Sequence, residues 1–276
     1  REIKFKGHYK DGKKEGLMTS WYENGKKDSE QHYKHGKRDG LSTSWYKNGK
    51  KWYEITFKDG KKDGLMTEYY GDGKKWYEIS FKDGEKDGLM TEYYGDGRKW
   101  SKGNYKNGKR DGLSTSWHEN GKKWYERHYK DGEKDGLDTE WYENGKKWYE
   151  ISFKDGKKEG LGTEWYENGK KRIEKHYKNG LKDGNWEFRF NAHTTHTTHT
   201  NEIMMKANYK EGKAIHSEIF TDPDSDISLK FDLTKTSNKT KGFTKTNSDE
   251  IIIDYSWLRI KVYAEQWSWN IHYSGP

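Results

Sequence analysis

The sequence predicts an all-β protein: an elongated antiparallel meander of 24-residue β-hairpin repeats, followed by a short segment of a second β domain. Three observations support this prediction. A glycine recurs every 24 residues, two tight-turn signals fall within each period, and polar and apolar side chains alternate between the turns. The composition argues against a thick globular core, because only 29% of the residues are hydrophobic and much of the apolar surface belongs to Trp and Tyr.

The period is marked by the glycine that precedes leucine. It recurs without insertion at Gly16, Gly40, Gly64, Gly88, Gly112, Gly136 and Gly160, and Gly184 follows one step later. Asn-Gly and Asp-Gly pairs recur in alternating steps of 13 and 11 residues, as at Asn48-Gly49, Asp59-Gly60 and Asp72-Gly73. Because these dipeptides supply the positive φ angles of tight turns, each period is predicted to be one hairpin joined to the next by another.

Side chains between the turns alternate with the period of a β-strand. Around Trp76, one face carries Tyr77, Ile79 and Phe81, and the other carries Trp76 and Glu78. The recurring tryptophan forms a column: Trp52, Trp76, Trp100, Trp124 and Trp148. Cross-strand packing explains this column best, and we predict that it also forms the interaction surface of the array. Stacking on nucleobases or sugars is the alternative, but interleaved Glu and Asp weaken the attraction for phosphate.

Composition limits the chemistry of the chain. The 54 basic and 46 acidic residues leave a net charge of +8 that is spread along the repeats, which favours a solvated surface over a nucleic-acid partner. The absence of cysteine excludes disulfides, thiolate metal sites and a cysteine nucleophile. No run of about 18 apolar residues predicts a membrane span. Histidines recur in a column rather than converging with a nucleophile and an acid, so no catalytic residue is predicted.

The repeats become irregular towards residue 220. The predicted array covers residues 1–220 and includes a His/Thr insertion at 193–200, where His193, His196 and His199 are candidate metal ligands. Spacing by three places alternate histidines on opposite faces of a strand, so an elongated hairpin loop is the competing interpretation. Residues 221–250, rich in Ser, Thr, Lys and Asp, are predicted to be a linker or cap.

The stretch FKDGKKDGLMTEYYGDGKKWYE resembles the variant MORN repeat of bacterial proteins, some of which carry an antitoxin label. The resemblance extends from about Phe5 to Phe190. It implies a β-hairpin array that acts as a scaffold or binding surface rather than as an enzyme.

The final stretch, LRIKVYAEQWSWNIHYSGP, resembles the opening of the copper domain of cytochrome c oxidase subunit II. Residues 251–276 would then be the first strands of a cupredoxin-like domain. The resemblance implies that Trp267 lies where electrons arrive from cytochrome c, with Trp269 packing beside it. The family's two copper-binding cysteines and two membrane helices are absent from this chain, so a complete subunit II is excluded. The competing interpretation is an aromatic edge strand that caps the array.

Two functional hypotheses follow. The first is an accessory array in a fragment of a subunit II-like respiratory protein, which contacts other oxidase subunits and cytochrome c on the electron-donor side of a mitochondrial or bacterial membrane. It implies dinuclear copper and haem elsewhere in the complex and no cofactor within this chain. The second is a free-standing, cytoplasmic MORN-type interaction protein, or an antitoxin-like scaffold, with an unidentified protein partner. A complete enzyme active site within the chain is the weakest hypothesis.

Overall fold

The computed structural model describes residues 4–189 and 203–220, together with the strands 228–231, 243–245, 250–255, 258–263 and 270–273. In these residues all regular structure is β, in 23 strands with no helix. The model confirms the all-β meander predicted from the 24-residue period.

The first sheet contains nineteen of the described strands, and each pairs antiparallel with its neighbours in chain order. Its strands are β1 Phe5–Lys10, β2 Lys13–Trp21, β3 Lys27–Lys34, β4 Lys37–Trp45, β5 Lys51–Lys58, β6 Lys61–Tyr69, β7 Lys75–Lys82, β8 Glu85–Tyr93, β9 Lys99–Lys106, β10 Lys109–Trp117, β11 Lys123–Lys130, β12 Glu133–Trp141, β13 Lys147–Lys154, β14 Lys157–Trp165, β15 Lys171–Lys178, β16 Leu181–Arg189, β17 Ile203–Lys210, β18 Lys213–Phe220 and β19 Ser228–Phe231. Because β19 pairs with β18, this sheet extends beyond residue 220, where the repeats were predicted to end.

A second sheet is formed by four strands in chain order: β20 Phe243–Lys245, β21 Glu250–Tyr255, β22 Leu258–Tyr263 and β23 Asn270–Tyr273. Its strands also pair antiparallel. Trp267 and Trp269 lie outside the described residues, between β22 and β23. The cupredoxin-like identity of this segment therefore stays a prediction.

Two-residue turns close each hairpin, as between β5 and β6. Asp59 and Gly60 both have positive φ, 49° and 86°, which is the type I′ geometry that matches the twist of the flanking strands. The Gly60 N–H donates to the Arg38 carbonyl at 2.8 Å, and the Asp59 N–H donates to the Asp39 carboxylate at 3.2 Å. Each turn is therefore tied to the preceding repeat.

Five-residue loops connect the successive hairpins from β2 to β15, as at 70–74 between β6 and β7. The Tyr70 N–H donates to the Lys74 carbonyl and the Gly73 N–H donates to the Tyr70 carbonyl, both at 2.8 Å. The Asp72 side chain accepts from the Lys74 N–H at 3.0 Å. These loops lie together at one end of the strands, and we call this end of the first sheet the loop edge.

Two bulges interrupt the register in each regular repeat. Between β5 and β6, Phe57 faces Lys62 whereas Ile55 faces Met66, so the segment around Gly64 is longer than the strand opposite. Gly64 takes a φ of 113° there, which favours glycine. Between β6 and β7, Lys75 pairs with Tyr69 and Tyr77 with Glu68, which leaves Trp76 as the extra residue of a bulge.

The core lies on one face of the sheet, which we call the core face. Ile55, Met66 and Ile79 occupy its centre, at most 6% exposed, and Tyr53 and Phe81 pack beside them. On the opposite face, which we call the threonine face, a second column is buried: Thr19, Thr43, Thr67, Thr91, Thr115, Thr139 and Thr163. Although the sheet contains few aliphatic residues, the side chains along the middle of both faces are therefore buried.

Cations cover the outer part of the core face. In each repeat a Lys or Arg lies 4.7 to 5.2 Å from the centre of an aromatic ring of the next repeat. The pairs are Lys14–Tyr33, Arg38–Phe57, Lys62–Phe81, Lys86–Tyr105, Arg110–Tyr129, Lys134–Phe153, Lys158–Tyr177 and Lys182–Tyr209. Their alkyl stems shield the rings from water while the charged groups attract the ring faces.

Candidate interaction surface

The tryptophan column predicted from the sequence lies at the loop edge. Its members are 38% to 44% exposed: Trp52, Trp76, Trp100, Trp124 and Trp148. Each is the second residue of the strand that follows a five-residue loop, as Trp76 is at its bulge in β7. The column therefore presents large apolar rings to solvent at regular intervals, which is unusual for side chains of this size.

Neighbouring aromatic rings hold four of these indoles in place. The centre of the Trp76 ring lies 5.2 Å from that of Tyr77, edge on, and 6.2 Å from that of Tyr70 in the preceding loop. Trp52, Trp124 and Trp148 have the equivalent pair of neighbours, with His118 as the loop aromatic for Trp124. Since the partner rings are already part of the sheet, the exposed indole surfaces are preorganised.

A ladder of hydrogen bonds fixes the spacing of the loops. The loop tyrosine hydroxyl donates to a backbone carbonyl 23 residues later, as from Tyr70 to Tyr93 at 2.8 Å. Asn48 donates from Nδ2 to the Gly71 carbonyl at 2.8 Å, and Lys50 Nζ lies 2.5 Å from the Asp72 carbonyl. Successive loops are thus bonded directly to each other, which makes the edge a continuous surface.

Two adjoining grooves lie along this edge in the second half of the array, with volumes of 560 and 670 Å³. Trp117 and Trp141 form inner walls, while Trp100, Trp124 and Trp148 from the column stand along them. Glutamates of three loops complete the lining: Glu119, Glu143 and Glu167. We call this continuous surface the tryptophan trough. Its column residues could be predicted from the 24-residue period, whereas the inner tryptophans and the glutamates were not predicted.

A second exposed apolar stripe lies on the threonine face. It consists of leucines that are 44% to 52% exposed: Leu17, Leu41, Leu65, Leu89, Leu137 and Leu161. Residues of the interrupted histidine column lie opposite them in the register, as His32 does to Leu17. His32 and His128 bond through Nδ1 to the carbonyls of Leu41 and Leu137, at 2.8 and 3.1 Å. These histidines therefore have structural partners and stand one by one along the array.

Polar side chains of the threonine face form repeated clusters that hold fixed charge states. Lys75 Nζ lies 2.5 Å from a Glu78 carboxylate oxygen, and the Tyr93 hydroxyl donates to the other oxygen at 2.8 Å. Burial raises the pKa of Glu78, but the hydrogen bonds from Lys75 and Tyr93 outweigh it, so its pKa is lowered. Burial and the bond to Glu78 raise the pKa of Tyr93 to about 12. Neither group titrates near neutrality, which suits a structural role rather than proton transfer.

The core face also carries ionic side chains in the second half of the array. Asp138 is 2% exposed and accepts from Lys134 at 2.5 Å and from Arg127 at 3.2 Å, while Arg127 also contacts Glu140. One repeat further on, Lys175 Nζ lies 2.6 Å from Glu164. These ions are paired inside the sheet and do not point at a shared substrate position.

Other candidate sites receive no support from the described residues. No group of three or more His, Asp or Glu in that part of the chain is arranged to hold a metal ion. His193, His196 and His199 lie outside the described residues, so their role as metal ligands stays a prediction. Within the described ranges, no helix is long and apolar enough to cross a membrane.

Comparison with known proteins identifies the repeats. The model of the MORN repeat variant matches seven successive segments, at residues 14–35, 38–59, 62–83, 86–107, 110–131, 134–155 and 158–179. Each segment takes in the longer strand of one hairpin and the shorter strand of the next, and together they cover more than half of the chain. No curated protein matches the chain. The resemblance of residues 251–276 to cytochrome c oxidase subunit II gains no support from these comparisons. The protein belongs to the MORN repeat variant family.

Proposed function

We propose that this protein is a non-catalytic interaction scaffold that holds a partner protein at the loop edge. MORN repeats generally mediate protein interactions, and a repeat-based scaffold agrees with the hypothesis of a MORN-type interaction protein. An accessory role in an oxidase and a role in electron transfer have no support. Neutralisation of a toxin-like partner would be one use of such a scaffold.

The observation that carries this proposal is the column of five exposed tryptophans. Trp and Tyr are enriched where proteins bind each other, because a rigid ring buries a large area at little cost in side-chain entropy. Four of these indoles are already held by flanking aromatic rings, so binding would order few further side chains. The leucine stripe is a second exposed apolar surface and provides a matched comparison.

The experiment compares two surface variants of the full chain as bait for partner capture. In the first, Trp52, Trp76, Trp124 and Trp148 are changed to Ser; in the second, Leu41, Leu65, Leu89 and Leu137 are changed to Ser. Circular dichroism and thermal unfolding establish that both variants fold. We expect partners retained by the unchanged chain to be lost from the tryptophan variant and kept by the leucine variant.

The opposite pattern of retention would place the binding surface on the threonine face and contradict the proposed site. Equal retention of all proteins by the three baits would contradict a specific scaffold. Recovery of haem-containing oxidase subunits by the unchanged chain would favour the respiratory hypothesis instead.

A further inference from the structure

We propose that the tryptophan trough binds an extended basic protein segment in the polyproline II conformation, with a Lys or Arg at every third position. The inference rests on the proposed scaffold function and adds the chemistry and spacing of the partner. It follows from the aromatic walls of the trough, its lining of glutamates and the repeat distance along it.

The trough is continuous across two repeats. Its two grooves share four residues, His118, Asn120, Trp124 and Glu143, so that a ligand in one groove passes directly into the other. Both grooves have aromatic walls, formed by exposed column indoles and by the rings of Trp117 and Trp141. Such walls suit extended segments, because aromatic-lined grooves recognise a polyproline II helix without the cost of ordering it.

Within the part of the chain that the structure describes, the glutamates are the only Asp, Glu, Lys or Arg side chains that line the trough, although the chain is basic overall. Glu119, Glu143 and Glu167 are exposed, and none of them forms an ion pair among the described residues. Nearby cations have other partners: Lys147 pairs with Glu150 at 2.5 Å, and Lys122 keeps its charge but donates to the Asn144 carbonyl at 2.7 Å. Arg98 pairs with Asp96, and its guanidinium also donates to the backbone carbonyl of Glu119. A guanidinium or ammonium group in the trough would gain both an indole face and a carboxylate.

The repeat distance sets the spacing of the partner's cations. Consecutive column tryptophans are separated by two strands, or about 9.6 Å at about 4.8 Å per strand. A polyproline II helix advances about 3.1 Å per residue with three residues per turn, so every third side chain recurs on one face after about 9.3 Å. An extended β-strand would place residues three apart on opposite faces. The trough therefore matches a basic residue at every third position of a polyproline II segment.

The first half of the array provides an internal contrast. Its tryptophan column continues through Trp52 and Trp76, but the loop positions equivalent to Glu119 are Lys47, Gly71 and Gly95. Two of its inner aromatic positions carry tyrosine, as in Tyr69, instead of tryptophan. The first half also has loop acids, but Glu23 pairs with Lys4, Asp72 with Lys74 and Asp96 with Arg98. Indole spacing is thus shared by both halves, whereas loop glutamates without an ion pair among the described residues follow one another only in the second half.

The test measures binding of labelled peptides to the full chain by fluorescence anisotropy. A peptide of repeated Lys-Pro-Pro triplets is compared with one of Glu-Pro-Pro triplets and with a Lys-Pro peptide of equal lysine number. We expect the Lys-Pro-Pro peptide to bind about tenfold more tightly than either, with an affinity that falls as salt is added. The combined variant E119Q, E143Q and E167Q should lose about tenfold in affinity, whereas E23Q, at the first loop, should not.

A gain-of-function variant tests the proposal even if the glutamine variant loses binding because it does not fold. Gly71 and Gly95 have ordinary φ angles and open space at the Cβ position, so K47E with G71E and G95E should fold and add a second binding site. An increase in the number of peptides bound per chain supports the proposal.

The proposal is overturned if Lys-Pro-Pro binds no better than the other peptides, or if the glutamine variant binds it equally well. It is also overturned if the trough takes a second copy of this chain, seen as concentration-dependent dimerisation that E119Q, E143Q and E167Q abolish. If the peptides fail but the tryptophan-to-serine variant still loses its captured partners, the scaffold function stands and only this inference falls.

Discussion

The Tyr46 hydroxyl donates a 2.8 Å hydrogen bond to the backbone carbonyl of Tyr69, one repeat further along the chain. The same bond recurs from Tyr22 to Trp45, Tyr70 to Tyr93, Tyr94 to Trp117, Tyr142 to Trp165 and Tyr166 to Arg189. At the one described loop that carries histidine in this position, His118 Nε2 bonds to the Trp141 carbonyl at the longer distance of 3.2 Å. These bonds join successive loops, together with the bonds from loop asparagines and lysines, as from Asn48 to Gly71 and from Lys50 to Asp72.

Removal of one rung should weaken the array measurably. Tyr46→Phe keeps the ring that packs on Trp52 but leaves the Tyr69 carbonyl without this donor, so we expect a loss of about 1 kcal/mol in the free energy of unfolding. Urea unfolding followed by tryptophan fluorescence measures it. His118→Tyr is the matched control and should not destabilise the protein. Unchanged urea midpoints for Tyr46→Phe would show that the ladder contributes nothing to stability.

Gly162 should tolerate no side chain. A Cβ atom at this position would lie 2.6 Å from Ile151 Cδ1, a buried atom of the core face. We expect Gly162→Ala to lower stability by about 1 to 3 kcal/mol through overpacking. The added change Ile151→Val removes the clashing methyl group and should recover part of this loss. Gly71→Ala, where nothing lies within 4 Å, is the control and should be close to neutral.

The buried carboxylate of Asp138 depends on its cationic partners. Asp138→Ala should cost about 3 to 5 kcal/mol, because Arg127 then keeps a half-buried charge with fewer partners. The register places Arg127 opposite Asp138 in the same way as Ile79 opposite Met90. We therefore expect the double change Arg127→Ile with Asp138→Met to be neutral or stabilising. A double variant less stable than Asp138→Ala would refute this explanation.

Low pH should lower the stability of the array in the absence of any ligand. The folded-state pKa values of Glu54, Glu78 and Glu174 are lowered, because hydrogen bonds from Lys and from Tyr or Arg outweigh the opposing effect of burial. Their contribution to stability is therefore present above the unfolded pKa of about 4.3 and is lost as the pH falls through the lower folded values. Thermal unfolding across this range measures the loss, and Glu54→Gln with Glu78→Gln should make the pH dependence shallower.

The period and the turns could be predicted because they depend on local chemistry. Asn-Gly and Asp-Gly at 24-residue spacing specify hairpins almost without reference to tertiary contacts. Two described turns escaped this rule: His35 before Gly36 and Glu211 before Gly212 take φ angles of 51° and 49°, in the place where the other turns have Asp or Asn. For His35, only the position, 24 residues from Asp11 and from Asp59, indicated that it would share their conformation.

The bulges and the trough could not be predicted in the same way, because they depend on register between strands. Simple alternation placed Trp76 on the face opposite Tyr77, whereas the structure places it as the extra residue of a bulge at the loop edge. The trough could be predicted only by comparing the sequences of individual repeats, because an averaged repeat sequence hides the differences between them. WHENGKKW and WYENGKKW, in the second half, differ from YYGDGKKW at the inner aromatic residue and at the loop acid. This difference between the two halves was the sequence signal that could have indicated the trough.

Among the described residues, the hydrogen bonds that leave a repeat reach only a neighbouring repeat, as from Gly60 back to Arg38 and from Tyr46 forward to Tyr69. An in-frame duplication of one unit by recombination would therefore meet compatible partners at both new junctions. Gene conversion or unequal exchange could lengthen or shorten the array without the invention of a new contact. Selection on single loop codons could meanwhile diversify what each copy recognises.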